Sequence, residues 1–280
     1  MRLRDWNPNV PFVLNLHITK ACNMNCVFCF GGFKATAKTK TKSDWIRLIK
    51  KIGEETAFLP DRRLNFAGGE PLLVPYLPEL LALAKAEGFK TSIITNGSRL
   101  TENYLDQIEP YIDLIGISID SLSESLNEKA GRKTRHGALS QQDYLSICQQ
   151  VTQRGIELKV NTVIHQDNYH QDLSPLLENT SISRWKVLRM LPIENENDNY
   201  RHLCPSDEAF NDFVLRHQAY RPIVEDNEDM KSTYLFVSPE GMLMDNSTNQ
   251  MVGLDSLFEI SLKEAFEKLP FNYQSFLKRY

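Results

Sequence analysis

Three cysteines, Cys22, Cys26 and Cys29, fall within eight residues as a C-x3-C-x2-C array. Thiolates this close can converge on one soft metal site. A structural zinc would need a fourth ligand. His17 is the nearest candidate, whereas Cys148 and Cys204 sit in unrelated segments. An iron–sulfur cube normally takes four thiolates, so a trio leaves one iron open to a small molecule. That deficit is the chemical signal. Farther along, Ala67-Gly68-Gly69-Glu70-Pro71 supplies two glycines that let backbone approach a ligand. Its carboxylate can accept a hydrogen bond from an ammonium.

These residues need a scaffold. Six β-like segments (13–18, 63–67, 91–95, 114–119, 157–164 and 184–190) alternate with helical patterns at 43–58, 75–87, 101–110, 140–154 and 171–178. Thr101 is placed to cap a helix, and Gly88 and Gly155 to end one. Regular alternation predicts parallel strands joined by right-handed crossovers. Six units are fewer than the eight of a closed barrel, which leaves an open arc or a doubly wound sheet. Strand parity favours the arc. Asn15 and His17 share one face of their strand, Lys159 and Asn161 of theirs, and Arg184 and Lys186 of theirs; the opposite faces are largely apolar. Polar groups on one side of three strands fit a concave lumen. The expected fold is α/β, a partial (βα)6 barrel over 1–191. A C-terminal α+β extension, 192–280, is expected to close the substrate end. It should hold a helix from Ser206, a hairpin turning at Pro239-Glu240-Gly241, and a last helix in SLKEAFEKL.

Composition narrows the class. Thirty-two Lys and Arg against 36 Asp and Glu give a net charge of -4, which argues against a general nucleic-acid binder. Any anion site must come from local clustering of cations. No apolar run approaches the roughly 20 residues that span a bilayer, and MRLRDWNPNV holds no signal-peptide core. The expectation is a cytoplasmic protein without a membrane partner. Five cysteines, an odd number, argue against a disulfide framework. Cys148 falls in a helical pattern and reads as a core thiol.

The C-x3-C-x2-C array after the first strand, with Phe28 before the last cysteine and GGEP ending the second strand, resembles the signature of radical S-adenosylmethionine enzymes. NLHITKACNMNCVFCF, LNFAGGEP, ITNGS, ISIDS, AGR, ELKVNTVI, SRWKV and STYLF fall in the order and spacing of the viperin family and its prokaryotic members. The resemblance covers roughly residues 10–280. Members are antiviral enzymes that dehydrate a ribonucleoside triphosphate to its 3′-deoxy-3′,4′-didehydro form. The membrane-targeting helix of the animal proteins is not expected in this chain.

The resemblance implies a [4Fe–4S] cluster on Cys22, Cys26 and Cys29, with S-adenosylmethionine on its open iron. One electron, from a flavodoxin- or ferredoxin-like reductant, yields a 5′-deoxyadenosyl radical that takes the ribose 4′ hydrogen. Phe28, Gly68, Gly69, Glu70, Asn96, Ser118 and Arg132 would hold S-adenosylmethionine; Arg132 could instead meet the nearest phosphate. Arg63, Lys159, Arg184 and Lys186 would hold the triphosphate, and Asn15 and Asn161 the base or sugar. Tyr234 aligns with a tyrosine that supplies a proton. A triphosphate carries about four negative charges, so convergent cations are required on charge grounds alone.

Two departures stand out. Ala67 replaces a hydroxyl residue of vertebrate members, and GGFKATAKTKTKSD (31–44) is a longer, lysine-rich loop. It reads as a solvated basic loop in preference to a lid over phosphates. Molybdopterin-type GTP cyclases and peptide-modifying enzymes with auxiliary clusters need further cysteines, and none follows Cys204. A single-cluster activase and a non-catalytic zinc module are the remaining rivals. Base preference among CTP, UTP and GTP is not legible.

Overall fold

The computed structural model describes residues 2–31 and 39–278. All six expected strands form close to their expected bounds: β1 Phe12–His17, β2 Arg62–Ala67, β3 Lys90–Thr95, β4 Leu114–Ser118, β5 Glu157–Ile164 and β6 Arg184–Arg189. Between them lie α1 Lys42–Glu55, α2 Leu77–Ala86, α3 Glu102–Ile108, α4 Glu124–Lys129, α5 Gln141–Gln153 and α6 Ser174–Glu178. The strands are parallel and stand side by side in chain order. A doubly wound sheet reverses its order at a switch point. These six never reverse, so right-handed crossovers put the helices on one side, and the other side becomes a lumen.

Local chemistry starts the helices where they start. Thr41 and Asp44 form a reciprocal capping box on α1, and Ser140 and Asp143 form another on α5. Trp45, Leu48, Ile49 and Ile52 make one buried stripe on α1. Along β5, Leu158, Val160, Thr162 and Ile164 are buried while Lys159, Asn161 and Val163 remain half-buried. The parity argument therefore holds. Cys148 is fully buried on α5, as expected of a core thiol.

Beyond residue 191 come α7 Asp207–Arg216, β7 Ile223–Glu225 and α8 Asn227–Met230. β7 extends the sheet parallel to β6. The segment between the Ser206 helix and the hairpin, where no element was expected, thus carries a strand and a helical turn. Three strand residues are too few to show a period. Next, β8 Leu235–Val237 pairs parallel with β1 and antiparallel with β9 Met242–Asp245 across the expected Pro239-Glu240-Gly241 turn, and β10 Val252–Ser256 follows. The C-terminal residues therefore add strands to both edges of the six-strand arc. The last helices are α9 Leu262–Lys268 and α10 Tyr273–Leu277. Phe276 of α10 and Phe12 of β1 each lie 5.2 Å from Trp6, ring to ring, in an aromatic group at the amino end of β1. Residues 32–38 of the lysine-rich loop lie outside the described residues. Among the described residues, no helix is long and apolar enough to cross a membrane.

Candidate active site

The predicted residues separate into two groups along the strand axis. At the carboxyl ends, the chain leaving β1 runs against the turn leaving β2. The Gly69 amide donates to Thr19 O and the Glu70 amide to Ala21 O, both at 2.8 Å. A Cβ on Gly69 would sit 2.2 Å from Ala21 O, and Gly68 has φ +146°. The glycines were expected to admit a ligand. The structure shows close backbone packing at this turn, against the segment that leads into the cysteine loop.

Glu70 is buried, and its carboxylate accepts from Leu72 N (3.0 Å), Thr95 Oγ1 (2.7 Å) and Asn96 N (2.8 Å). Burial outweighs these bonds and raises its pKa. Asn96 Nδ2 donates to Asn23 Oδ1 at 2.9 Å, tying the end of β3 to the cysteine loop. On the loop's other side, the Asn25 amide donates to Gly131 O and the Val27 amide to Ala130 O, both at 3.0 Å. A Cβ on Gly131 would lie 2.1 Å from Asn25 O, which explains the glycine of the AGR motif. The Phe28 ring stacks on His165 at 5.0 Å, under the Arg132 guanidinium at 5.5 Å. Arg132 is buried and ion-paired with Asp120, whose other oxygen accepts from Val163 N at 2.8 Å. Burial opposes the Arg132 charge, but Asp120 and its neighbours overcome that and hold its pKa above the ordinary value. Arg132 also donates to Ser118 O at 3.4 Å. It lies with the cysteine loop and not among the cations that line the lumen cavity.

Cys22 and Cys29 reach the surface, and Cys26 is half-buried. Desolvation raises all three thiols, Cys26 to about 12, with the other two cysteines adding to the rise and Arg132 opposing it. The sulfurs thus feel one another, and loading them requires proton release. Among the described residues, no three His, Cys, Asp or Glu side chains close on a single ion. Three cysteines on one loop are the donor set that a [4Fe–4S] cube with one open iron would take. His17 is buried, and desolvation lowers its pKa to about 4, leaving a neutral ring edge-on to Phe236.

Toward the amino ends, the lumen holds a cavity lined by Asn15, Arg63, Lys159, Arg184, Lys186 and Tyr234 among others. Strand register builds it, since Lys159 pairs with Arg184 and Asn161 with Lys186. Desolvation and the neighbouring Lys186, Arg184 and Arg63 charges push Lys159 well below the usual lysine pKa, with Glu225 opposing. Asn161 does not line this cavity; it stands one layer nearer the carboxyl ends, opposite Ser118 in the ladder. Asn15 donates to Leu235 O at 2.9 Å and accepts from Asn65 at 2.7 Å, and Asn65 accepts from Ser92 at 2.9 Å. Asn65, Ser92, Thr233, Phe276 and Glu225 were not predicted. Asn65 shares parity with Arg63 and was legible; Glu225 ends the short β7 and was not.

A parallel arc with a cysteine trio after its first strand and a Gly-Gly-Glu turn after its second defines a class. The Radical SAM superfamily profile matches residues 16–178, and the chain belongs to that superfamily. Its relatives are more particular. It is 34% identical over 282 residues, 99% of this chain and 97% of the relative, to the S-adenosylmethionine-dependent nucleotide dehydratase of Flammeovirga pacifica. It is 31% identical over 288 residues, 96% of this chain and 77% of the relative, to S-adenosylmethionine-dependent nucleotide dehydratase RSAD2 of Danio rerio. Within the superfamily, it belongs to the family of these dehydratases. In solved structures, SuiB of Streptococcus suis bound to precursor peptide SuiA superposes with TM-score 0.69 at 17% identity, over 94% of this chain and 66% of that one. The anSMEcpe structure with bound AdoMet and a peptide gives 0.70 at 15%, over 95% and 84%. At those identities, the likeness is one of fold alone.

Proposed function

We propose that the chain is a radical S-adenosylmethionine dehydratase that converts CTP, UTP or GTP to the 3′-deoxy-3′,4′-didehydro nucleotide. The observation that carries this is the drawing of Arg63, Lys159, Arg184 and Lys186 from three strands into one cavity. Burial and the neighbouring cations depress the Lys159 pKa, and a polyphosphate would supply negative charge that favours its protonated form.

When bound on Cys22, Cys26 and Cys29, the [4Fe–4S] cluster with S-adenosylmethionine supplies the hydrogen-abstracting radical. The protein does the rest by placement. Glu70 offers its carboxylate to the methionyl ammonium and Arg132 its guanidinium to the methionyl carboxylate. From Arg63 to Gly68 the chain advances five residues, roughly 17 Å of strand. A polyphosphate held at the amino ends therefore sets its ribose below the cofactor turn. Misplacing the 4′ carbon by about 1 Å would cost on the order of 100-fold. Asn15 and Asn161 border the sugar and base; after the 4′ hydrogen is taken, the 3′ hydroxyl leaves as water with uptake of a proton, from Tyr234, and a second electron, from the reductant. The product, lacking that hydroxyl, would terminate nucleic-acid chains, consistent with antiviral use. The setting would be cytoplasmic, with a flavodoxin- or ferredoxin-like electron donor.

Anaerobic reconstitution followed by mass spectrometry with S-adenosylmethionine, reductant and each nucleotide tests the reading. A nucleotide lighter by one water, formed with 5′-deoxyadenosine, is expected. Formation of 5′-deoxyadenosine with every nucleotide left intact would refute it.

A further inference from the structure

Glu225 is 2% exposed at the end of β7, and no step above uses it. Its carboxylate is ion-paired with Lys186 and accepts the Tyr234 hydroxyl proton, while Lys186 Nζ donates to Tyr234 Oη at 3.0 Å. The three groups come from different places in the sheet. Lys186 lies on β6, Glu225 on its outer neighbour β7, and Tyr234 just before β8, which pairs with β1 at the opposite side of the arc. The contact therefore crosses the gap that the backbone ladder leaves open. Tyr234 is further fixed by stacking on Phe236, centroids 5.4 Å apart and planes at 18°. Both Lys186 and Tyr234 line the cavity.

A buried carboxylate beside a polyphosphate site is electrostatically adverse to the ligand, since it repels the anion that the cations attract. Its presence there calls for a use other than affinity. We propose that Glu225 is a positioning residue that holds the Tyr234 hydroxyl and the Lys186 ammonium as one unit facing the sugar. This rests on the dehydratase reading. The expected signature is a split: without the charge, nucleotide binds at least as tightly, while turnover falls.

The test compares wild type with Glu225→Gln in the reconstituted enzyme. Isothermal titration with CTP, UTP and GTP, without reductant, reads binding; product analysis after reduction reads turnover. For Glu225→Gln we expect affinity equal to or tighter than wild type. Dehydrated nucleotide should fall on the order of 100-fold, with 5′-deoxyadenosine falling less, so that the two products uncouple. Glu225→Asp keeps the charge on a shorter arm and covers the case in which the glutamine variant does not fold. It should bind nucleotide as wild type does and also uncouple. Wild-type turnover in either folded variant, or a loss of turnover matched by an equal loss of affinity, overturns the proposal. A wild-type enzyme that dehydrates no nucleotide would overturn both this proposal and the dehydratase reading.

Discussion

Lys159→Met keeps an apolar stem in the lumen and deletes one charge. Lys159 sits among Arg63, Arg184 and Lys186 with Glu225 as the opposing carboxylate, and its pKa is depressed by burial and by those cations. Two unit charges 4 Å apart interact by about 4 kcal/mol at an effective dielectric of 20. Desolvation and the remaining cations offset part of that. A net loss of about 1.5–3 kcal/mol, roughly 10- to 100-fold in Kd, is expected. The sign with pH follows from linkage. A bound triphosphate restores the Lys159 proton that the free site disfavours, so the complex holds more protons than the free protein. Affinity therefore falls as pH rises from the depressed value toward about 10.4, by up to tenfold per unit. On folding, the unfolded lysine binds its proton more readily than the folded one, so nucleotide-free stability rises with pH across the same window. Titration calorimetry without reductant, between about pH 7.5 and 9.5 and so above the terminal phosphate ionisation, in two buffers of different ionisation enthalpy, measures the uptake. Wild type should show buffer-dependent heats and Lys159→Met should not. Identical heats and flat affinity in wild type would refute the reasoning.

Alanine at Cys22, Cys26 or Cys29 should abolish iron and sulfide retention after reconstitution while leaving the melting curve of the metal-free protein nearly unchanged, because none of the three is fully buried. Glu70→Gln should weaken S-adenosylmethionine binding roughly 10- to 100-fold, the usual worth of a charged hydrogen bond, read by titration of the reconstituted protein. Gly69→Ala would put a methyl 2.2 Å from Ala21 O; about 1–3 kcal/mol of destabilisation and faster cluster loss should follow, seen in a thermal melt and by the decay of cluster absorbance. Nucleoside monophosphates should bind at least tenfold more weakly than triphosphates and yield no dehydrated product, since one phosphate cannot reach the lumen cations and leave the ribose near the cofactor turn; competition and product assays check this.

Local and periodic features were legible in the sequence. The alternation in ELKVNTVI put Lys159 inward, and the Thr41 and Ser140 caps marked helix starts. The cysteine spacing carried the cofactor chemistry. Contacts between distant segments were not legible. Nothing in IVE tells that it pairs beside β6, or that Glu225 meets a tyrosine from the far side of the arc. Likewise, Gly131 reads as an ordinary turn until Asn25 O is placed against it. Gly68 and Gly69 were legible as points of close approach, but the nearness of Thr19 and Ala21 was not: a glycine records that something comes close, not what.

The aromatic group at the amino end of β1 joins the end of the chain to the cavity. Phe276 forms part of the cavity wall and packs on Trp6 beside Phe12, so truncating any one of these rings would loosen a wall of the lumen in which the cations stand.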